Sequence, residues 1–275
     1  MISAADVKAL RDATGAGMMD CKKALEESGG QMEGAIEYLR KKGQKLSLKR
    51  ADRDAKEGVV LAITNDARNK GIVVKLSSET DFVAKNEDFI NLTRKIAKIA
   101  LDNFPANTEA LLALPFDSSI TIADKVAEQV GVIGEKIEVA AYEFLEAETV
   151  APYIHMGNKA GVLVGLNKGG DAIYEAGRDV AMQVAAMKPV AVDKDDVDSA
   201  IVEKEIEIGK EIARQEGKAE DMLEKIALGK LNKFYKENTL LNQEFVKGNK
   251  ESVSEFLKKI DGGLTVTAFR HVALG

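Results

Sequence analysis

Hydrophobic positions along the chain recur with two different periods, and the change comes near residue 57. In residues 1–42 the spacing is helical and predicts three short helices. Ser3 ahead of Asp6 makes a capping-box pattern before Val7 and Leu10, and Gly15 stops that helix. A second helix is predicted from Met18 to Glu27, burying Cys21, Ala24 and Leu25, with Gly29-Gly30 ending it. The third places Met32, Ala35, Ile36 and Leu39 on one face. From Glu57 the pattern turns strand-like. Val59 to Ile63 and Ile72 to Leu76 flank a turn rich in Asn, Asp and Gly, a hairpin signal. A helix follows with Phe89, Leu92, Ile96 and Ile99 on one face, then a helical stretch from Ile120 to Val130 and a strand from Lys136 to Phe144.

The pattern then repeats. Asn158-Lys-Ala-Gly-Val-Leu-Val-Gly-Leu166 echoes Asn69-Lys-Gly-Ile-Val-Val-Lys-Leu76, a helix from Ile173 to Met187 echoes the one from Glu87, and a last strand at Leu264 to Val272 echoes Lys136 to Phe144. The chain therefore reads as α+β, with a duplicated core of small antiparallel sheets covered by helices. The expected organisation is a three-helix, UBA-like module at 1–42, a basic linker at 43–56, and core halves at 57–148 and 149–275. The second half carries an inserted antiparallel helical hairpin at about 195–236. Its expected seam sets Val197, Ile201, Ile208 and Ile212 against Leu223, Ala227, Leu231 and Phe234, with Gly217-Lys218 as the turn. The hairpin is either self-contained or a surface for self-association, so a homodimer through it is one expectation.

The two halves differ most between the middle strand and the helix. The first half has Ser77 to Asn86, a stretch without Gly or Pro that sets Asp81 beside Phe82 and Val83; the second has only Asn167-Lys-Gly-Gly-Asp171. A short glycine turn therefore closes this connection in one copy, and the longer one is an addition of the kind that carries function. Phe82 either folds back onto its own core or stands out as an anchor. Met18 and Met19 pose the same choice: neighbours on a helix do not share one narrow face, so at least one is expected outside unless both pack among the three helices.

Composition narrows the class. The 275 residues carry 31% charged side chains and a net charge of −6, which argues against a non-specific polyanion binder. Eight basic residues lie between Arg40 and Lys56, a run that either grips RNA phosphates or forms a solvated, partly helical linker without aromatics for stacking. The single cysteine excludes an internal disulfide and a thiolate metal cage. The first residues lack a signal-peptide pattern, and no uncharged run approaches the roughly 18–20 residues that span a bilayer. The reading is a soluble protein of the reducing cytoplasm.

Catalytic chemistry is sparse. Gly15-Ala-Gly17 lacks the third glycine and the preceding strand of a dinucleotide site, and there is no Gly-x-x-x-x-Gly-Lys-[Ser/Thr]. With two histidines, His155 at a hairpin turn and His271 in the last strand, an enzyme is not expected and no cofactor or bound metal is implied.

Two stretches carry a resemblance. Thr14-Gly-Ala-Gly-Met-Met-Asp-Cys-Lys-Lys-Ala-Leu25 resembles one signature of the bacterial translation elongation factor Ts family, and Thr80-Asp-Phe-Val-Ala-Lys85 resembles the other. The likeness continues through His155-Met-Gly-Asn-Lys-Ala-Gly-Val-Leu-Val164 and Lys188-Pro189 to Phe245-Val246. It implies a guanine nucleotide exchange factor that binds GDP-bound elongation factor Tu and releases the nucleotide. On that resemblance Arg11, Met18 and Met19 dock on a helix of the GTPase domain. Thr80, Asp81, Phe82 and Val83 dislocate the Mg²⁺ held by the partner, and His155 touches a more distant part of it. Several members of the family continue past the last strand into a short helical module, whereas this sequence stops at Gly275, and somewhat weaker binding is expected. Two rival expectations are an RNA- or ribosome-associated module that uses the basic run, and a helical adaptor without effect on nucleotide.

Overall fold

Three helices precede the first strand in the computed structural model, which describes residues 2–275. Helix α1 (Ala4–Thr14) starts at a capping box in which Ser3 and Asp6 each take the other's backbone N–H, and it ends at Gly15 with φ of 72°. Helices α2 (Met18–Glu27) and α3 (Met32–Lys49) close a small core of Leu10, Cys21, Ala24, Leu25, Ala35 and Leu39. Helix α3 runs well past this core, so most of the basic stretch is helical. Several basic residues of the stretch are engaged: Lys42 of α3 pairs with Asp20 at 2.5 Å, and Arg50, at the C-cap of the helix, pairs with Glu79 at 2.9 Å.

Strands β1 (Glu57–Thr64) and β2 (Lys70–Ser78) pair antiparallel, with Glu57 opposite Ser78 and Thr64 opposite Gly71. A single helical turn, α4 (Asp81–Ala84), interrupts the connector to α5 (Glu87–Asn103), where the sequence predicts only a loop. Short α6 (Thr108–Ala113) and α7 (Ile122–Ile133) follow, and β3 (Glu138–Glu146) completes a sheet of order β1-β2-β3. Helices α5, α6 and α7 cover its outer face over Ile72, Val74, Leu76, Phe89, Ile96 and Val130.

The second half repeats this plan. Strands β4 (Thr149–His155) and β5 (Ala160–Leu166) form a hairpin, α8 (Asp171–Met187) follows, and β6 (Val266–Ala273) completes the order β4-β5-β6. Strand β4 is missing from the sequence reading; it is an edge strand containing Pro152, which interrupts the usual signal. The duplication extends to irregularities. The middle strands slip register at Lys75/Leu76 and at Gly165/Leu166, and the two long helices end on left-handed Phe104 and Lys188, each followed by proline. The sheets pack face to face through Val60, Ala62 and Val73 of one and Val150, Leu163 and Val272 of the other. Burial of this second face of each sheet is what allows its strands to be apolar on both sides.

Helices α9 (Ser199–Gln215) and α10 (Leu223–Asn238) form the inserted hairpin, and α11 (Val253–Ile260) returns to cover the second sheet beside α8. The hairpin seam corrects one expectation. On α9 the buried residues are Gly209 and Ala213, while Ile201, Ile208 and Ile212 stay about 40% exposed on its flank. A Cβ on Gly209 would lie 3.0 Å from the Ala227 Cα, so the helices approach closely enough to select the smallest residues for the contact. On α10 the seam is Leu223, Ala227 and Leu231, as expected. The architecture is α+β.

Candidate functional site

Strand β2 delivers the candidate loop to one end of the sandwich, and a set of polar contacts fixes it there. Ser78 Oγ donates to the Thr80 carbonyl at 3.0 Å. The Glu79 carboxylate accepts from the Lys136 backbone N–H at 2.6 Å, from Arg50 at 2.9 Å and from Arg53 at 3.1 Å. Burial pushes this carboxyl up, but the Lys136 amide and the two guanidiniums outweigh it and hold Glu79 below the ordinary glutamate range. Thr80 then caps α4, its hydroxyl oxygen accepting from Val83 N–H. The same hydroxyl donates to Glu135 Oε1 at 2.6 Å, and the Thr80 N–H donates to Glu135 Oε2 at 3.0 Å.

Between these anchors the chain exposes its largest apolar side chain. No residue of α4 is buried, and Phe82 is 82% exposed. Val83 packs partly against the first core, while Asp81 pairs with Lys85 at 2.6 Å in the open. The Lys85 ammonium, hydrogen-bonded to Asp81, holds that carboxyl below the ordinary aspartate range. Asn86 then caps α5 by accepting from Asp88 N–H at 2.8 Å. Of the two placements open to Phe82 from the sequence, the outward one is found. Leaving such a ring in water forgoes about 1.5–3 kcal/mol of burial.

Beside Phe82 lies a cleft of about 800 Å³ that joins the N-terminal module to the first core half, its walls including Thr14, Gly15, Val83, Phe116 and Val132. The turn that contributes Thr14 and Gly15 leads straight into α2, where Met18 and Met19 are both outside, at 60% and 76%. Arg11 is exposed on the last turn of α1. Phe82 lines this cleft, and the two methionines follow its Thr14–Gly15 wall along the chain. His155 is exposed at the tip between β4 and β5, on the other sheet, its ring 3.4 Å from the Tyr153 hydroxyl. That tip lies against β1, and Gly275 N–H donates to the Lys56 carbonyl just before β1. Because β1 begins where β2 ends, the His155 tip and α4 emerge at the same end of the sandwich.

Sequence reasoning passed over Met156 beside His155, which is 78% exposed, and both carboxylates that hold the loop. Met156 carried a signal, an apolar residue at a hairpin tip. Glu79 and Glu135 carried none, since a lone acid near a turn reads as solvated. Among the described residues no cluster of three or more His, Cys, Asp or Glu is arranged to hold a metal, and no helix is long and apolar enough to cross a membrane. Cys21 is buried, and burial pushes its thiol up, away from nucleophilic character.

Comparison with known proteins gives a consistent picture. The family model described as Elongation factor TS matches residues 79–275. The Elongation factor Ts of Christiangramia forsetii is 54% identical over 274 residues, covering 100% of this chain and 99% of the relative. That of Cytophaga hutchinsonii is 56% identical over 275 residues, covering 99% of each, and that of Prosthecochloris aestuarii is 43% identical over 284 residues, covering 100% and 99%.

Proposed function

The chain belongs to the elongation factor Ts family, and from that premise we propose that it is a guanine nucleotide exchange factor for elongation factor Tu. Its role is to release GDP during translation elongation in the cytoplasm so that GTP can bind. The observation that carries the reading is Phe82, an apolar ring 82% exposed on a helical turn that has no fully buried residue and whose base is held by two carboxylates, Glu79 and Glu135. A ring presented in this way suits insertion into a partner rather than support of its own core. The factor catalyses no chemical step and needs no cofactor; binding energy does the work.

In this reading Arg11, Met18 and Met19 seat the N-terminal module on the GTPase domain. Asp81 and Phe82, with Thr80 and Val83 behind them, press into the region that holds the partner's Mg²⁺. That ion demands near-octahedral ligands, so a small displacement of one weakens it. Its loss leaves the charge of the diphosphate uncompensated, and GDP leaves. The coupling is reciprocal, so nucleotide in turn displaces the factor. Burial of one Phe supplies about 1.5–3 kcal/mol, whereas a 10⁴-fold shift needs roughly 5.5 kcal/mol. The remainder has to come from the exposed methionines and from the His155 tip. No membrane or nucleic acid takes part. A homodimer through the hairpin is a separate proposal, supported by the exposed flank of Ile201, Ile208 and Ile212. Sedimentation of wild type beside Ile208→Glu tests it, and a monomer at all concentrations rejects it.

The test of exchange is release of fluorescent GDP from elongation factor Tu, with wild type beside Asp81→Ala and Phe82→Ala. Fast release that both substitutions blunt is expected. Release that is fast but indifferent to them removes the loop from the mechanism, and no acceleration at all rejects the function.

A further inference from the structure

Two segments far apart in sequence exchange carboxylates across the base of α4. Glu79 accepts from the backbone N–H of Lys136, and Glu135 accepts from the backbone N–H of Thr80, so each acid binds the neighbour of the other. Glu135 goes further and also takes the Thr80 hydroxyl at 2.6 Å. The place of Glu135 is unusual for an acid. It follows Gly134, the C-cap of α7, where the helix presents unpaired carbonyls and disfavours negative charge. Its residence there is therefore not explained by the stability of α7.

Helix α4 needs such a support. Four residues are too few to hold a helical turn by their own hydrogen bonds, and this turn fully buries no side chain. What remains is its cap, Thr80, the partial packing of Val83 on the first core, and the exposed Asp81–Lys85 pair, which contributes little in water. The second half of the core provides the comparison. There the connector is also stapled to the segment before the last strand, through Asn167 to Gly263 and Thr265 and through Lys168 to Asp261. That staple ends at the turn itself and supports no exposed anchor. In the first half the staple is carried one residue further, onto the residue that caps the turn bearing Phe82.

We infer that Glu135 is a positioning residue for exchange: by taking both donors of Thr80 it fixes the α4 turn, and so the direction in which Phe82 leaves the surface. The inference rests on the exchange reading above. It separates two quantities. The N-terminal module still binds the GTPase when Glu135 is lost, whereas the insertion of Phe82 loses its aim.

The experiment is stopped-flow release of fluorescent GDP from elongation factor Tu over a range of factor concentrations, using wild type, Glu135→Ala, Glu135→Gln, Phe82→Ala and the double variant. Glu135→Ala is expected to lower the maximal rate about tenfold, as misdirected reacting groups do. The concentration giving half the maximal rate should stay within about twofold. Glu135→Gln, whose carbonyl oxygen still accepts one of the two bonds, should recover part of the rate. Phe82→Ala with Glu135→Ala should be no slower than Phe82→Ala alone, because the second loss acts through the first. Losses that add would assign Glu135 a merely structural role and overturn the inference. Amide exchange in the free factor provides the second readout: Val83 and Ala84 should exchange faster in Glu135→Ala while α5 stays protected. If that variant folds poorly, Thr80→Val, which removes the hydroxyl and keeps the shape, replaces it with the same expectation. Wild type that fails to release GDP sinks the exchange reading and the inference together, while fast release untouched by Glu135→Ala sinks the inference alone.

Discussion

Gly131 of α7 lies so close to Gly43 of α3 that a Cβ on Gly131 would stand 2.9 Å from the Gly43 Cα. A Cβ on Gly43 would stand 2.7 Å from the Ala127 carbonyl oxygen. The N-terminal module is therefore joined to the core by a backbone-to-backbone helix crossing and not by a loose tether. Gly43→Ala should destabilise this crossing by about 1–3 kcal/mol, despite the gain of up to about 1 kcal/mol that alanine brings to a helix interior. Gly229→Ala in α10, where nothing lies within 4 Å, should show that gain alone. Thermal unfolding of the two variants checks the pair, and equal shifts would remove the crossing from the account.

Phe82→Ala should leave the melting temperature of the free factor within about 1 °C of wild type, since an exposed ring contributes little to folding. Its effect should fall on GDP release. A large loss of stability would mean that the ring is buried in solution.

The hairpin gives the opposite pattern. Gly209→Val inserts branched carbons against the Ala227 backbone and should destabilise the hairpin by about 1–3 kcal/mol, whereas Ile208→Glu on the exposed flank should stay within about 0.5 kcal/mol. Urea unfolding followed by circular dichroism separates them. The reverse order would restore the isoleucine seam.

Acid should act through Glu79. Its carboxyl titrates lower in the folded chain than the ordinary glutamate value of 4.5. The unfolded chain therefore binds more protons between the two values. The stabilisation is fully present above the unfolded value and is lost as pH falls through the folded one. Glu79→Gln should be less stable than wild type at neutral pH, and the gap should close only as pH drops below the ordinary glutamate value. A gap that is constant down to strong acid would show that the charge is not what matters.

His271 adds an earlier sign of acid. Burial, with the charge of Lys188 beside it, pushes this imidazole below its ordinary value of 6.5, and its Nε2 has no hydrogen-bond partner. Its contribution is fully present above 6.5 and lost as pH falls through the folded value. His271→Gln should flatten the stability profile in that window, as measured by chemical denaturation at stepped pH.

Much of this was legible in the sequence because it repeats locally. The α5 face follows from the spacing of Phe89, Leu92 and Ile96, and the duplication from the matched Asn-Lys turns ahead of β2 and β5. The connector bearing Phe82 was visible as a difference between copies. What stayed hidden depends on contacts between distant residues. The α9 seam is made by Gly209 and Ala213, which a search for large apolar side chains passes over, and β4 is masked by Pro152 at an edge. Thr80 and Glu135 are 55 positions apart, and neither announces the other. Exposure is equally hidden: the sequence left Phe82, Met18 and Met19 with two placements each, and packing of the completed core decides for the outside.

The α3–α7 crossing also decides which body yields when force is exchanged. Helix α7 carries the N-terminal module on one side, and Glu135 just beyond its end holds the turn of Phe82. Module and anchor are thus both tied to α7, one through the glycine crossing and the other through Glu135 just beyond its end. In the exchange reading proposed above, a GTPase gripped by both would have to accommodate the spacing between them. Under that reading, the strain of such a complex would fall on the side that holds the nucleotide.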